Sequence, residues 1–111
     1  MIVDPESVTV ESVAVEVVTV EVARVAARLD TLPIAKVDDG VCSRVQECAA
    51  RIVALTHDPR RPADWQLPVV GPTALAAQLR LVVRDYLDMR TAASEDAAVA
   101  QTLIDLRRSL P

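Results

Sequence analysis

The sequence predicts a small all-α protein, a single-domain bundle of about four helices with a proline-rich loop between the second and third helices. Three observations predict this fold. Apolar residues recur at spacings of three and four in successive segments, and prolines or helix-capping residues separate those segments. A chain of 111 residues also has the usual length of one domain. We therefore treat residues 1–111 as one helical domain.

The first helix is predicted over the valine-rich segment that follows Asp4 and Pro5. Asp4 can cap a helix, and Pro5 suits its first position, where a missing N–H costs nothing. Residues 8–25 also show the alternation of a strand, but a lone strand would have no partner in the rest of the chain. The helical interpretation is therefore favoured, and the helix is predicted to end before Pro33.

Two rows of apolar residues share this first helix. One row consists of Val15, Val18, Val22, Val25 and Leu29, and the other consists of Val10, Val13, Val17 and Val20. Together they make the helix apolar over more than half of its circumference, which is more than one buried face requires. With no Phe, one Trp and one Tyr, the core must also be built from small aliphatic side chains. We therefore predict that the second row meets another copy of the chain in a homo-oligomer.

The second helix carries one apolar stripe at spacings of four, three, four and three. Its members are Val41, Val45, Cys48, Ile52 and Leu55. Asp38 or Asp39 is the expected cap, and the stripe stops near His57. The segment that follows is predicted to be irregular, because Pro59 and Pro62 prevent helix continuation.

The third helix has the same apolar spacing and is predicted to open at Gly71–Pro72. Its stripe consists of Leu75, Leu79, Val82, Tyr86 and Met89. Leu81 and Leu87 lie off this stripe, so we predict that they join the second valine row in the protein interface. Ser94 is the predicted cap of the fourth helix. The stripe of that helix consists of Val99, Leu103, Leu106 and Leu110.

Catalytic and metal-binding chemistry is not predicted. The chain has one histidine, His57, and two cysteines, Cys42 and Cys48, which fit no zinc-ligand spacing. The cysteines are six residues apart, which places them on different faces of a helix, so we expect two reduced thiols with Cys48 in the core. Two glycines provide no phosphate-binding loop. We expect a non-enzyme without cofactors.

A net charge of −4 argues against attraction of the whole molecule to nucleic acid or to an anionic membrane. No uncharged stretch is long enough to span a bilayer, and no secretory signal precedes the acidic N-terminal segment, so we expect a cytoplasmic protein.

One local basic cluster, Arg60 and Arg61 with Trp65 nearby, offers an alternative. Two guanidinium groups beside an indole could contact nucleic acid or an acidic partner, although Asp58 and Asp64 flank them and cancel the local charge. The other interpretation is a solvated loop with Trp65 folded onto the core.

Two segments resemble a known family. The run from Gly71 to Arg80, GPTALAAQLR, and the run from Ala97 to Arg108, AAVAQTLIDLRR, resemble helical segments of small proteins encoded by actinobacteria and their phages. In particular, they resemble the C-terminal part of actinobacteriophage terminase small subunits. The resemblance implies an all-helical, ring-forming subunit that recognises viral DNA and recruits the packaging motor, and it implies a virion-associated location in an infected actinobacterium. A phage head-to-tail adaptor is a neighbouring possibility.

The chain departs from the terminase pattern because it has no recognisable basic N-terminal DNA-reading module, and no functional residue is carried over. The predicted function is a non-enzymatic assembly and protein-binding subunit that acts as a homo-oligomer in phage DNA packaging or head-to-tail connection. The alternative is a DNA-binding regulator or a small antitoxin-type or anti-defence binding protein.

Overall fold

The computed structural model describes residues 5–91 and 94–111, and for residues 5–12 it describes the helical backbone alone. Four α-helices are present: α1 (Pro5–Thr31), α2 (Asp39–Ala54), α3 (Leu75–Met89) and α4 (Asp96–Ser109). Short 3₁₀ helices at Ile34–Lys36 and Pro72–Ala74 lead into α2 and α3. No strand occurs in these residues, so the predicted all-α bundle is confirmed.

The valine-rich segment is helical, which resolves the ambiguity between helix and strand. The predicted core row is partly buried: Val18, Val25 and Leu29 are in the core, whereas Val15 and Val22 are only half-buried. α1 ends at Thr31, two residues before Pro33. This end is expected, because a proline disfavours helical backbone geometry at the residue before it. The predicted cap Asp4 lies outside the described residues.

The start of α2 is capped as predicted, and the structure selects Asp38 over Asp39. The Asp38 carboxylate accepts a hydrogen bond from the Val41 backbone N–H at 2.9 Å. The predicted Ser94 cap of α4 is wrong, because Glu95 occupies the N-cap position and makes no side-chain cap. The Ser94 hydroxyl instead accepts the Thr91 backbone N–H at 2.7 Å, which stabilises the turn before the helix.

Each of α1 and α2 packs against both α3 and α4. α1 and α4 run in the same direction, because Val13 lies near Ala97 at one end and Arg28 binds the Pro111 carbonyl at the other. α2 and α3 also run in the same direction: Gln46 in the middle of α2 and Gln78 in the first turn of α3 both contact Pro68, and Val53 near the end of α2 lines one pocket with Asp85 farther along α3.

The proline-rich connection from residue 55 to residue 71 follows from this topology. Two consecutive parallel helices need a connection that returns along the length of the first, and α2, with 16 residues, is about 24 Å long. The Gln46 and Gln78 amides both donate to the Pro68 carbonyl, at 3.2 and 2.7 Å. These two hydrogen bonds hold the returning segment against both helices.

The core is aliphatic, as predicted. Its largest fully buried side chains are Tyr86, Ile52, Leu75, Leu79, Leu103 and six valines. The predicted stripes of α2 and α3 are buried, except for Leu55 and Met89 at the helix ends. A few neighbouring residues of each helix are buried with them. Cys48 is buried among them, which confirms its predicted place in the core, and neither cysteine is bridged within the chain.

The molecule is elongated, with dimensions of 56 × 31 × 17 Å. Its radius of gyration is 15.1 Å, whereas a compact domain of this length would have about 13 Å. The 27 residues of α1 account for much of the difference, since they extend over about 40 Å and the other helices are little more than half as long. None of the described helices has the length and hydropathy that a membrane span needs.

Candidate functional site

An apolar groove lies on the surface between α1 and α4. It has a volume of about 430 Å³. Its lining consists of Val13, Ala14 and Val17 from α1, with Asp96, Ala97, Ala100, Gln101 and Ile104 from α4. We call this surface the α1–α4 groove.

The groove exists because small residues face each other where the two helices meet. Ala97 and Ala100 stand opposite α1 near the start of α4 and cannot fill the space that a larger side chain would occupy. The valines of α1 therefore form one wall and Ile104 closes the far end. The result is an open apolar channel that runs along the helix axes, a shape that suits another helix.

A second, smaller depression continues the α1–α4 groove along the surface of α1. It has a volume of about 240 Å³ and shares Val13 and Val17 with the groove. Val20 extends the apolar surface, and Glu16 and Arg24 form its charged edge. The two depressions are therefore one continuous apolar band on α1.

The end of this band is closed by a buried ion pair between the helices. The Glu21 carboxylate accepts a hydrogen bond from Arg107 Nε of α4 at 2.8 Å and another from Arg24 Nη1 at 3.1 Å. Two guanidinium partners offset the cost of burying this carboxylate. The contact also sets the register between α1 and α4, because it joins two residues that are far apart in the sequence.

The structure brings part of the predicted interface together. Val13 and Val20 are exposed and Val17 is half-buried in the same band. Val10 belongs to the same helix, but its side chain lies outside the described residues. Leu87 is half-buried against the core and lines neither depression of the band.

Leu81 lies elsewhere. It is 61% exposed and lines a pocket between α2 and α3 of about 240 Å³, together with Trp65, Leu67 and Asp85. The α2–α3 edge is opposite the α1–α4 edge, because α1 and α2 each pack between α3 and α4. Leu81 therefore cannot share a single contact surface with the valine row.

The predicted basic cluster is held by contacts within the chain. Arg60 forms a two-pronged hydrogen bond with the Asp58 carboxylate, at 3.0 and 3.2 Å. This contact lowers the pKa of Asp58 and raises that of Arg60. Arg61 lies over the Trp65 ring, 4.8 Å from its centroid, and donates to the Val53 carbonyl. Asp58 therefore neutralises the charge of Arg60, whereas Arg61 keeps its charge and is held in place by the Trp65 ring and the Val53 carbonyl.

The corner between α3 and α4 holds a second buried polar cluster. The Tyr86 hydroxyl and the Arg90 guanidinium both donate to the Asp96 carboxylate. Hydrogen bonding from Arg90 is the main cause that lowers the pKa of Asp96, whereas burial is the main cause that raises the pKa of Tyr86. The cluster fixes the first turn of α4 and so positions Ala97 and Ala100 at the α1–α4 groove.

The remaining titratable side chains do not converge on a reactive centre. His57 is exposed beyond the end of α2. Burial raises the pKa of the Cys48 thiol to about 12, so this thiol stays protonated and unreactive near neutral pH. Within residues 13–91 and 94–111, no three His, Cys, Asp or Glu side chains are grouped so that they could hold a metal ion.

The helix periodicity of the sequence did not identify the α4 residues that line the groove. Ala97, Ala100 and Ile104 recur at spacings of three and four, beside the stripe that contains Val99 and Leu103. That second row of small residues was the available signal for a close helix contact. Comparisons of the chain with protein-family models, curated proteins and solved structures find no match. The geometry of the groove therefore carries the functional interpretation.

Proposed function

We propose that this chain is a non-enzymatic helical assembly and protein-binding subunit that acts as a homo-oligomer. The observation that carries the proposal is the apolar band on α1 together with the α1–α4 groove. Val13 is 51% exposed within this band. Contiguous apolar surface of this kind on a small protein marks an interaction site, because its exposure to water is unfavourable.

The total surface of the chain supports the proposal. The accessible surface is 7143 Å², whereas a compact monomer of 12.0 kDa exposes about 6,000 Å². The excess is about 1,100 Å², and one partner in a standard protein interface buries about 800 Å². A single contact along α1 could therefore cover the surplus.

Light scattering at micromolar concentration tests the proposal. We expect the wild-type chain to have a mass above that of one copy. The double variant Val13→Glu and Val20→Glu should be monomeric, because it would bury two charges in the interface. Val69→Glu is the matched control, since Val69 is 87% exposed and lies in a loop away from the band. A strictly monomeric wild-type mass would contradict the proposal.

The narrower role that we propose, in phage DNA packaging or head-to-tail connection, rests on the resemblance of residues 71–80 and 97–108. The gene neighbourhood is the direct test. A large-terminase or portal gene beside this one would support the role, and a neighbourhood without phage genes would contradict it. An antitoxin-type or anti-defence binder would use the same apolar surface and differ only in its partner.

A DNA-binding regulator is the alternative from a different class, and it would use Arg60 and Arg61. The internal contacts of these guanidinium groups with Asp58 and Trp65 disfavour it. We expect no gel shift of duplex DNA at low salt. Binding that disappears in the Arg60→Ala and Arg61→Ala double variant would favour the alternative, since phosphate contacts dominate non-specific affinity.

A further inference from the structure

We propose that the pocket between α2 and α3 binds a small zwitterion with an apolar side chain, a ligand of the α-amino acid class. We call this site the α2–α3 pocket. It combines apolar walls from both helices and the returning segment with two charged side chains, Arg61 and Asp85. The pocket lies on the edge opposite the α1–α4 groove, so the proposal is independent of self-association.

The walls of the α2–α3 pocket are held in place by the fold. Val82 is buried in the core, and Leu67 of the returning segment packs against the core. The Pro68 carbonyl, next to Leu67, accepts hydrogen bonds from the Gln46 and Gln78 amides. The pocket is therefore already formed without a ligand, as small-molecule sites usually are.

The apolar part of the pocket is open to water. Trp65 is 40% exposed, and Leu81 is exposed beside it at the same pocket. Covering an indole ring and a leucine side chain with an apolar group removes both from water, which is favourable in proportion to the area covered. The walls therefore favour a ligand with an aliphatic or aromatic side chain.

Arg61 supplies a fixed positive charge at the pocket. Its guanidinium lies over the Trp65 ring, 4.8 Å from the centroid, and donates to the Val53 carbonyl. Neither of these partners carries a charge, so Arg61 remains fully cationic. Because stacking already orders this side chain, it loses little freedom when it binds a ligand. Its planar fork matches the two oxygens of a carboxylate.

Asp85 supplies a negative charge from α3. It is exposed, and none of the ion pairs within residues 13–91 and 94–111 includes it. Arg61 and Asp85 therefore line the same pocket without neutralising each other. A ligand ammonium group can bind the Asp85 carboxylate while the carboxylate of the same ligand binds Arg61.

The balance of charge around the pocket favours a zwitterion over an ion. Asp85 contributes to the raised pKa of Arg60, which places these two side chains near each other. Arg60 is already paired with Asp58, however, so these two charges cancel. The remaining pair, Arg61 and Asp85, also sums to zero. A ligand with a net charge gains no overall attraction here, whereas a zwitterion satisfies both remaining charges.

The size of the pocket limits the ligand. Its volume is about 240 Å³, which is below the roughly 300 Å³ at which pockets for drug-sized molecules begin. A nucleotide or a large cofactor is therefore too big for it. A molecule of the size of leucine fits these limits, with its side chain on Trp65 and Leu81 and its two charged groups at Arg61 and Asp85.

The emission of Trp65 tests the proposal, because this is the one tryptophan of the chain. Leucine is the probe. Its analogues leucinamide, without a carboxylate, and isocaproate, without an ammonium group, are the ligand controls. We expect leucine to change the emission saturably in the millimolar range, since so small a ligand makes few contacts. Each analogue should bind about tenfold more weakly, because one charge-assisted hydrogen bond is lost.

Asp85→Asn tests the ammonium site separately. This variant should bind leucine about tenfold more weakly and should not weaken the binding of isocaproate, which has no ammonium group. Asp88→Asn is the matched control, because Asp88 is exposed on the same helix and does not line the pocket. Calorimetric titration of the same samples provides a second measurement that does not depend on Trp65.

Three results would overturn the inference. The first is the absence of saturable binding by both methods at tens of millimolar leucine. The second is equal affinity for isocaproate and leucine, because the pocket would then recognise a carboxylate alone. The third is equal leucine binding by the Asp85→Asn and Asp88→Asn variants. None of these results bears on self-association, which involves the opposite edge of the bundle.

Discussion

Replacement of Arg107 by alanine tests the ion pair that joins α4 to α1. Glu21 is only 5% exposed, and Arg107 Nε lies 2.8 Å from its Oε2 atom. Without Arg107 the carboxylate would stay buried with Arg24 as its remaining guanidinium partner. We expect Arg107→Ala to lower the free energy of unfolding, because an incompletely paired buried charge is costly.

The magnitude follows from the exposure of the partners. Removing one member of a fully buried pair costs about 3–5 kcal/mol, whereas an exposed pair contributes about 0–1 kcal/mol. The Arg107 side chain is 34% exposed and Arg24 still holds Oε1, so the expected loss lies between these limits, at about 2 kcal/mol. Arg24→Ala should cost less, at about 0.5 kcal/mol, because this i,i+3 partner is largely in water.

Urea denaturation at a fixed chain concentration measures these changes, since any self-association would make stability depend on concentration. Arg108→Ala is the matched control, because Arg108 is exposed in the same turn of α4. A double-mutant cycle with Glu21→Gln isolates the coupling between Glu21 and Arg107. Equal stability of the Arg107→Ala and Arg108→Ala variants would refute the structural role assigned to the pair.

Three further predictions concern single side chains. Folding lowers the pKa of Asp96 from its ordinary value of 3.8, so the ionised carboxylate stabilises the fold at pH values above 3.8. This stabilisation is lost as the pH falls from 3.8 through the lowered pKa of the folded state, and Asp96→Asn should flatten that dependence in denaturation measured as a function of pH. Iodoacetamide at pH 8 should modify Cys42 well before Cys48 in mass spectra, because Cys48 is buried and its pKa is about 12. Arg61→Ala should shift Trp65 emission to longer wavelength and cost about 0.5–1 kcal/mol, and unchanged emission would contradict the stacked arrangement.

The helices themselves could be predicted from the sequence because their signals are local. Spacings of three and four place Val41, Val45 and Ile52 on one face of α2, whatever that face contacts. Asp38 is an N-cap because its carboxylate reaches the N–H three residues later. Pro33 ends α1 through a steric clash with its immediate neighbour. Each of these effects acts within about one turn of the chain.

The surface predictions were less complete, because helix periodicity shows that a residue lies off the core stripe but not which neighbour it faces. Leu81 and Val13 look equivalent by this criterion, yet the structure places them on opposite edges of the bundle. Ser94 likewise has the composition of a cap, but Glu95 holds that position because Ser94 closes the preceding turn with Thr91. The missing information is the packing of neighbouring segments.

The amino-acid pattern alone predicts four amphipathic helices with an aliphatic core, and more apolar surface on α1 than one buried face needs. The side-by-side packing of α1 and α4 in the same direction, which lets Ala97 and Ala100 open a groove beside Val13, is seen only in the folded chain. The two kinds of information differ because they depend on interactions of different range. Helical periodicity is set by bonds between residues four apart, whereas the α1–α4 contact depends on how the connections fold back and on pairs such as Glu21 with Arg107.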